Sequence, residues 1–182
     1  MRVIVAVTAA SGAIYARQCV ELLLKSGSVE RIALIYSGEA QSVAKAEGVE
    51  IPEDNRIDIF SNDNMWASPA SGSARWDSMI IVPSTMGTIG RIASGVSQSL
   101  IERAADVMLK ERRRLVIVAR EAPYSLIHLR NMTTLTEAGA IIIPASPSFY
   151  FRPESIEELC LTISERAVEL AGVAVDHREW GN

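Results

Sequence analysis

The chain has 182 residues, 48% of them hydrophobic, and a formal net charge of -4 at pH 7. A chain of this length buries roughly 70% of the surface its unfolded form exposes, which excludes a disordered class and makes a single domain over residues 1–182 the expectation. The acidic balance argues against a nucleic-acid surface, and no apolar stretch approaches the ~18 residues of a membrane span, so a soluble, cytoplasmic protein is expected. The elements then follow in order. Val3 to Val7 is a continuous apolar run without alternation, the pattern of a strand covered on both faces of a parallel sheet. Ala13 to Lys25 carries Ile14, Cys19, Leu22 and Leu23 at helical spacing, Arg31 to Tyr36 is a second strand, and Glu39 to Glu47 a short helix. Residues 48 to 73 are mostly loop, punctuated by Pro52, Asn55, Pro69 and Gly72, with Ile57 to Phe60 as a short strand within it. Met79 to Val82 is a strand closed by Pro83, and Gly87 to Ala93 a helix that breaks near Gly95, since glycine loses the most backbone freedom in a helix.

From Ser99 the helical pattern resumes, with Leu100, Ile101, Ala104, Ala105, Met108 and Leu109 on one stripe and Arg103, Asp106 and Lys110 on a charged ridge. Leu115 to Ala119 is the next strand, Ile127 to Glu137 a helix, and Ala140 to Ile143 a strand closed by Pro144. The last helix runs from about Glu154 to Ala171, and residues from about 172 to 182 read as a tail. Alternating strands and helices require crossover connections. They predict a three-layer α/β fold, a Rossmann-like or flavodoxin-like, mostly parallel sheet with helices on both faces.

Ligands in such folds sit beyond the carboxyl ends of the strands, so the strand exits are the informative positions. Thr8 to Gly12 places backbone amides and the Ser11 hydroxyl before a helix, where an anion can bind; a tight turn with a helix cap accounts for it equally well. Neither a GxGxxG fingerprint nor a Walker A loop is present. Pro83 to Thr88 sets the hydroxyls of Ser84, Thr85 and Thr88 before another helix, against the same alternative of plain capping. Two such loops on one sheet edge favour one shared anionic or flavin-sized ligand. Arg120 and Glu121 follow their strand without a turn and so fall where the crevice forms. The run at 110 to 114 reads as a solvated basic helix end in which only Lys110 turns inward. Phe149, Tyr150 and Phe151 between prolines form either a lip over a pocket or core packing. Arg166 lies beside the Ile163 and Leu170 stripe and needs a phosphate or carboxylate partner. Cys19 and Cys160 read as buried thiols, His128 as a cap or packing residue, and His177 as part of the tail; neither zinc spacing nor a GxSxG elbow is present.

These segments resemble the UbiX family of flavin prenyltransferases over nearly the whole chain: TAASGAIYA near the start, PASGS at 69 to 73, VPSTMGTIGRIASG at 82 to 95, LIERAADVMLKERR at 100 to 113, VAREAPYSLIHLRNM at 118 to 132 and PASPSFYFRP at 144 to 153. The resemblance implies a homododecameric flavoprotein that uses no metal. It would join the dimethylallyl group of dimethylallyl phosphate to N5 and C6 of reduced FMN, supplying prenylated FMN to a UbiD-type decarboxylase. By motif, Ala10, Ser11 and Gly12, Ser37, the loop of Thr85, Met86, Gly87 and Thr88, and Arg120 match the flavin pocket. Lys110, Tyr150 and Arg166 match the allylic phosphate site, with Arg103 a nearby and sometimes intersubunit contributor. Glu121 matches the proton-shuttling carboxylate. Trp66 matches an aromatic wall, with Met65 the alternative alignment. Ala10, Ser84, Gly87 and Arg130 depart from the family pattern. The wider superfamily resembles cysteine decarboxylases, which depend on a histidine where this chain has TAASG; a non-catalytic flavin-binding protein is the other alternative.

Overall fold

The computed structural model describes residues 1–176. Six apolar runs form the strands β1 (Arg2–Val7), β2 (Arg31–Tyr36), β3 (Ile57–Ser61), β4 (Ser78–Ser84), β5 (Arg114–Ala119) and β6 (Ile141–Pro144). They lie side by side in the order β3-β2-β1-β4-β5-β6, and each neighbouring pair is parallel. Val3 to Val7 of β1 are almost completely buried because both faces of that strand are covered. The edge strand β3 is only half-covered, which is why its apolar signal in the sequence is weak.

The pleat sorts the core into two layers. Val3, Val5 and Val7 point toward α1 (Ala13–Lys25) and α6 (Ile156–Leu170), meeting Cys19, Leu23, Ile163 and Val168. Ile4 and Ala6 point the other way, toward α3 (Met86–Ala93) and α4 (Leu100–Lys110), meeting Ile89, Leu100, Ile101 and Met108. The short α2 (Ala40–Ala46) joins the first layer through Ala40, and α5 (Leu126–Glu137) joins the second through Leu135. The three-layer, doubly wound architecture expected from the alternation is therefore the one observed.

Chain order reverses between β1 and β4: from β1 the chain winds outward to β2 and β3, then returns to β4 on its other side. This switch point leaves a crevice beyond the carboxyl ends of the two central strands, the site at which doubly wound folds bind ligands. The predicted break at Gly95 is present, with Gly95 at φ 71°, and α4 restarts on a capping box in which the Ser99 hydroxyl accepts the Glu102 N–H. The start of the segment read as a tail is packed instead, with Val173 buried in the core. His177 and the rest of that segment lie outside the described residues.

Candidate active site

Thr8, fully buried at the end of β1, ties the two central loops together. Its hydroxyl donates to the Pro83 carbonyl at 2.8 Å and accepts the Thr85 N–H at 2.9 Å. The loops after β1 and β4 are thus held by one side chain at the switch point. Beyond Thr8 the chain reaches Gly12 at φ 106°, a left-handed conformation, and a β-carbon there would sit 2.8 Å from the Tyr15 ring. Both facts restrict this position to glycine.

The turn at 8–12 does face an anion, and it is the chain's own. Glu47, just past α2, accepts the Gly12 N–H at 2.9 Å and the Ala13 N–H at 2.7 Å, and the Ser11 hydroxyl joins it. Burial alone would raise the Glu47 pKa, but Ser11, the two amides and the positive charge of Arg120 outweigh it and hold the carboxyl below its usual value. Ala10 is buried beneath this turn, and Ser37 abuts it through its N–H bond to the Val7 carbonyl at 2.9 Å.

Across the crevice, Thr85 caps α3 by accepting the Thr88 N–H at 3.2 Å, and the two hydroxyls lie 3.0 Å apart. Met86 and Thr88 are buried; Gly87 is exposed. Capping and a crevice-lining role coexist in this loop, because Thr85 performs the first while standing at the mouth of the second. Arg120 leaves β5 with its N–H on the Ser84 carbonyl at 3.1 Å. Its side-chain Nε is buried without a hydrogen-bond partner. A buried guanidinium N–H left unpaired is costly, and an acceptor placed there would relieve the cost. Glu121 is half-buried next to it, its Oε1 accepting the Ala122 N–H at 3.0 Å.

Of the remaining residues, the single chain does not bring Lys110 to this edge. Lys110 ends α4 four residues before β5 begins, whereas Glu121 follows its end, so the length of a six-residue strand, ~20 Å, separates the two ends. Lys110 pairs with Glu111. Arg103 pairs with Asp106 and donates to the Ala70 carbonyl of the PASGS loop at 3.1 Å. Arg166 has the carboxylate partner its sequence position called for, Glu169 one turn on, but it lies more than half exposed on α6 rather than desolvated. Tyr150 does lie in the loop beyond β6, at the crevice edge, stacked edge-on against Phe151 with ring centroids 4.7 Å apart; the segment is an exposed lip rather than core. Trp66 is 98% exposed and Met65 partly so.

Three residues carry weight here that their sequence context did not announce. Thr8 and Glu47 act across 77 and 35 positions of chain, and only the capping pattern S-x-x-E from Ser99 to Glu102 was locally readable. Arg113, read as solvated, instead grips the Gly72 and Trp76 carbonyls at 2.8 and 3.1 Å. His128 caps α5, its Nδ1 accepting the Ser125 N–H at 3.2 Å.

The doubly wound sheet, the polar switch-point crevice and the unpaired Arg120 donor describe a flavoprotein, and the chain belongs to the Flavoprotein family, whose pattern matches residues 1–168. Within it the similarity is to UbiX enzymes. The flavin prenyltransferase UbiX of Archaeoglobus fulgidus is 41% identical over 185 residues, with full coverage of both chains. The crystal structure of AnUbiX in complex with FMN and dimethylallyl pyrophosphate superimposes with a TM-score of 0.91 at 41% identity, covering 100% of this chain and 97% of that one. A dodecameric FMN-dependent UbiX-like decarboxylase from Escherichia coli O157:H7 superimposes with a TM-score of 0.89 at 33% identity, covering 98% and 99%.

Proposed function

We propose that this chain acts as one flavoprotein unit in the cytoplasm, a flavin prenyltransferase that moves the dimethylallyl group of dimethylallyl phosphate onto N5 and C6 of reduced FMN without a metal. The prenylated product would serve a UbiD-type decarboxylase. The observation that carries the reading is the pairing, at the switch-point crevice, of a buried unsatisfied donor on Arg120 with the half-buried carboxylate of Glu121. An acceptor on a flat ring would satisfy the first, and the second would be the base available to take up a ring proton.

Bound reduced FMN supplies the electron-rich ring atoms that accept the prenyl carbons. The chain does the rest. Arg120, Thr85 and Ser11 orient the ring, and Gly12 lets the backbone approach it. Lys110, Tyr150 and Arg166, with Arg103, hold the departing phosphate once a neighbouring copy encloses the first three, which are exposed in the single chain; a donor buried and well aimed in this way is worth on the order of 2.7–4 kcal/mol in a transition state. Trp66 provides a π-rich wall for the allylic carbon as positive charge develops. Glu121 accepts the proton released at C6.

This division of labour requires a homo-oligomer, because Lys110 stands a strand's length from its own Glu121 and has to enter the crevice of a neighbouring copy. The surface supports assembly. Leu126, Ile127 and Leu129 of α5 are exposed by 61%, 67% and 46%, beside an open groove of about 420 Å³ lined by Tyr124, Met132 and Ile142. Apolar area of this kind marks an interface, and a dodecamer like that of the Escherichia coli relative is the assembly we infer.

Anaerobic incubation with reduced FMN and dimethylallyl phosphate, followed by mass measurement of the flavin, tests the reading. Gain of one prenyl unit is expected. Tight binding of unchanged flavin would reduce the protein to a binding module, and turnover of a cysteinyl substrate would make it a decarboxylase. Glu121→Gln is expected to bind FMN like the parent and to form product at least tenfold more slowly; unchanged turnover removes the proton role.

A further inference from the structure

Outside the residues already assigned, one side chain links the crevice to a neighbouring helix. Arg91, on the last turn of α3, donates through Nε to Glu102 and through Nη2 to the Thr88 hydroxyl at 3.3 Å. Glu102 is 4% exposed, and its other oxygen accepts the N–H groups of Gln98 at 2.9 Å and Ser99 at 3.0 Å, closing the α4 cap. Burial would raise this carboxyl's pKa, yet Arg91 and the two amides hold it below the usual range, so it stays ionised and anchors the guanidinium. Gly87 makes room for the arrangement: a β-carbon there would lie 3.3 Å from an Arg91 terminal nitrogen.

The consequence is a direction imposed on a hydrogen-bond chain. Arg91 is a donor only, so Thr88 Oγ1 accepts from it. Thr88 is 3% exposed, and its own hydroxyl proton needs an acceptor; the one in range among the described residues is Thr85 Oγ1, 3.0 Å away. Thr85 Oγ1 then accepts twice, from the Thr88 N–H and the Thr88 O–H. Its own proton is left over, on a half-buried residue at the crevice mouth. We propose that Arg91 is a positioning residue: anchored by Glu102, it polarises Thr88 so that Thr85 presents a hydroxyl donor to an acceptor atom of the ligand in the crevice. The inference rests on the flavin reading above and adds to it a specificity for an acceptor at that point.

The test is a double-mutant cycle read as the dissociation constant for FMN, by quenching of flavin fluorescence, with Thr85→Val on one side and Arg91→Met on the other. Truncating Arg91 alone strands a buried carboxylate, so the Arg91 change is made together with Glu102→Gln, whose amide oxygen still accepts from Gln98 and Ser99. Losing one such hydrogen bond weakens binding about fivefold. Thr85→Val and Arg91→Met/Glu102→Gln are each expected to show that loss, and the triple variant no more than either. Arg91→Lys separates positioning from stability: a single ammonium restores the ion pair with Glu102 and the thermal midpoint but lacks the fork that also reaches Thr88, so FMN affinity stays lowered. Multiplicative losses in the cycle, or FMN affinity unchanged in the Arg91 variants, overturn the positioning role while leaving the flavin site intact. If the parent protein itself does not bind FMN, both the site and this refinement of it fall.

Discussion

Thr8→Val tests the junction on which the crevice depends. Valine keeps the shape and removes only the hydroxyl of a residue 1% exposed, so packing is conserved and hydrogen bonding alone changes. The Pro83 carbonyl keeps a partner, because it also accepts the Thr8 N–H at 3.3 Å. The Thr85 N–H loses the acceptor it had at 2.9 Å. Stranding a fully buried donor costs about 1–3 kcal/mol; because Thr85 is half-buried, the low end, about 1–2 kcal/mol, is the expectation here. For a chain of this size each kcal/mol moves the thermal midpoint by about 2–4 °C, so the midpoint of thermal unfolding, followed by circular dichroism at pH 7 without flavin, should fall by about 2–8 °C. Thr8→Ser restores the hydroxyl and is expected to recover most of that difference. A Thr8→Val midpoint within about 1 °C of the parent, under conditions where the serine variant is also unchanged, would show that the hydroxyl does not bridge the loops.

The other expectations are shorter. Glu47 has a depressed folded-state pKa, so it contributes stability above its unfolded-state value, and this is lost as pH falls through the folded value. The midpoint of the parent should therefore drop more steeply than that of Glu47→Gln as pH is lowered through the acid side of the carboxylate range; parallel slopes would reject the contact. Burial pushes the Cys19 thiol up to about 12 and raises that of Cys160, so neither is expected to react with a disulfide reagent at pH 8 until denaturant is added, which absorbance of the released thiolate reports. Replacing Leu126 and Ile127 together by serine should shift sedimentation toward smaller species while leaving the far-ultraviolet spectrum unchanged, because both side chains are exposed in the single chain. An unaltered assembly would move the interface elsewhere.

Local signals carried most of the fold. The unbroken Val3 to Val7 run and the helix break at Gly95 are properties of short segments, and both appear as read. The proline closures do not: β4 runs through Pro83 to Ser84, and Pro144 is the last residue of β6. Strand order is not local: Val3 pairs with Ile32 on one side and Ser78 on the other, and nothing within either segment encodes that choice. The same limit governs the site. Arg120 and Glu121 were legible because a charged pair ends an apolar strand, whereas Thr8 and Glu47 look like an ordinary turn residue and a surface carboxylate until the chain folds back on itself. Trp76 shows the converse: almost fully buried under the Arg2 guanidinium, 4.4 Å from its ring centroid, it sits among polar neighbours in a stretch with no period to detect. Arg166 has the carboxylate partner its sequence position called for, Glu169, although in the single chain its helix leaves it more than half exposed beside its apolar neighbours.

The strand that holds Lys110 at its foot and Glu121 at its head has a physiological corollary. On the proposed division of labour, a newly made, solitary polypeptide would own every chemical group the reaction calls for and yet be inert, since its leaving-group cation and its base would never meet. Competence arrives with company. Two defective variants, one lacking the lysine and the other the glutamate, should then rescue each other when co-assembled, each lending the intact half of a mixed catalytic centre.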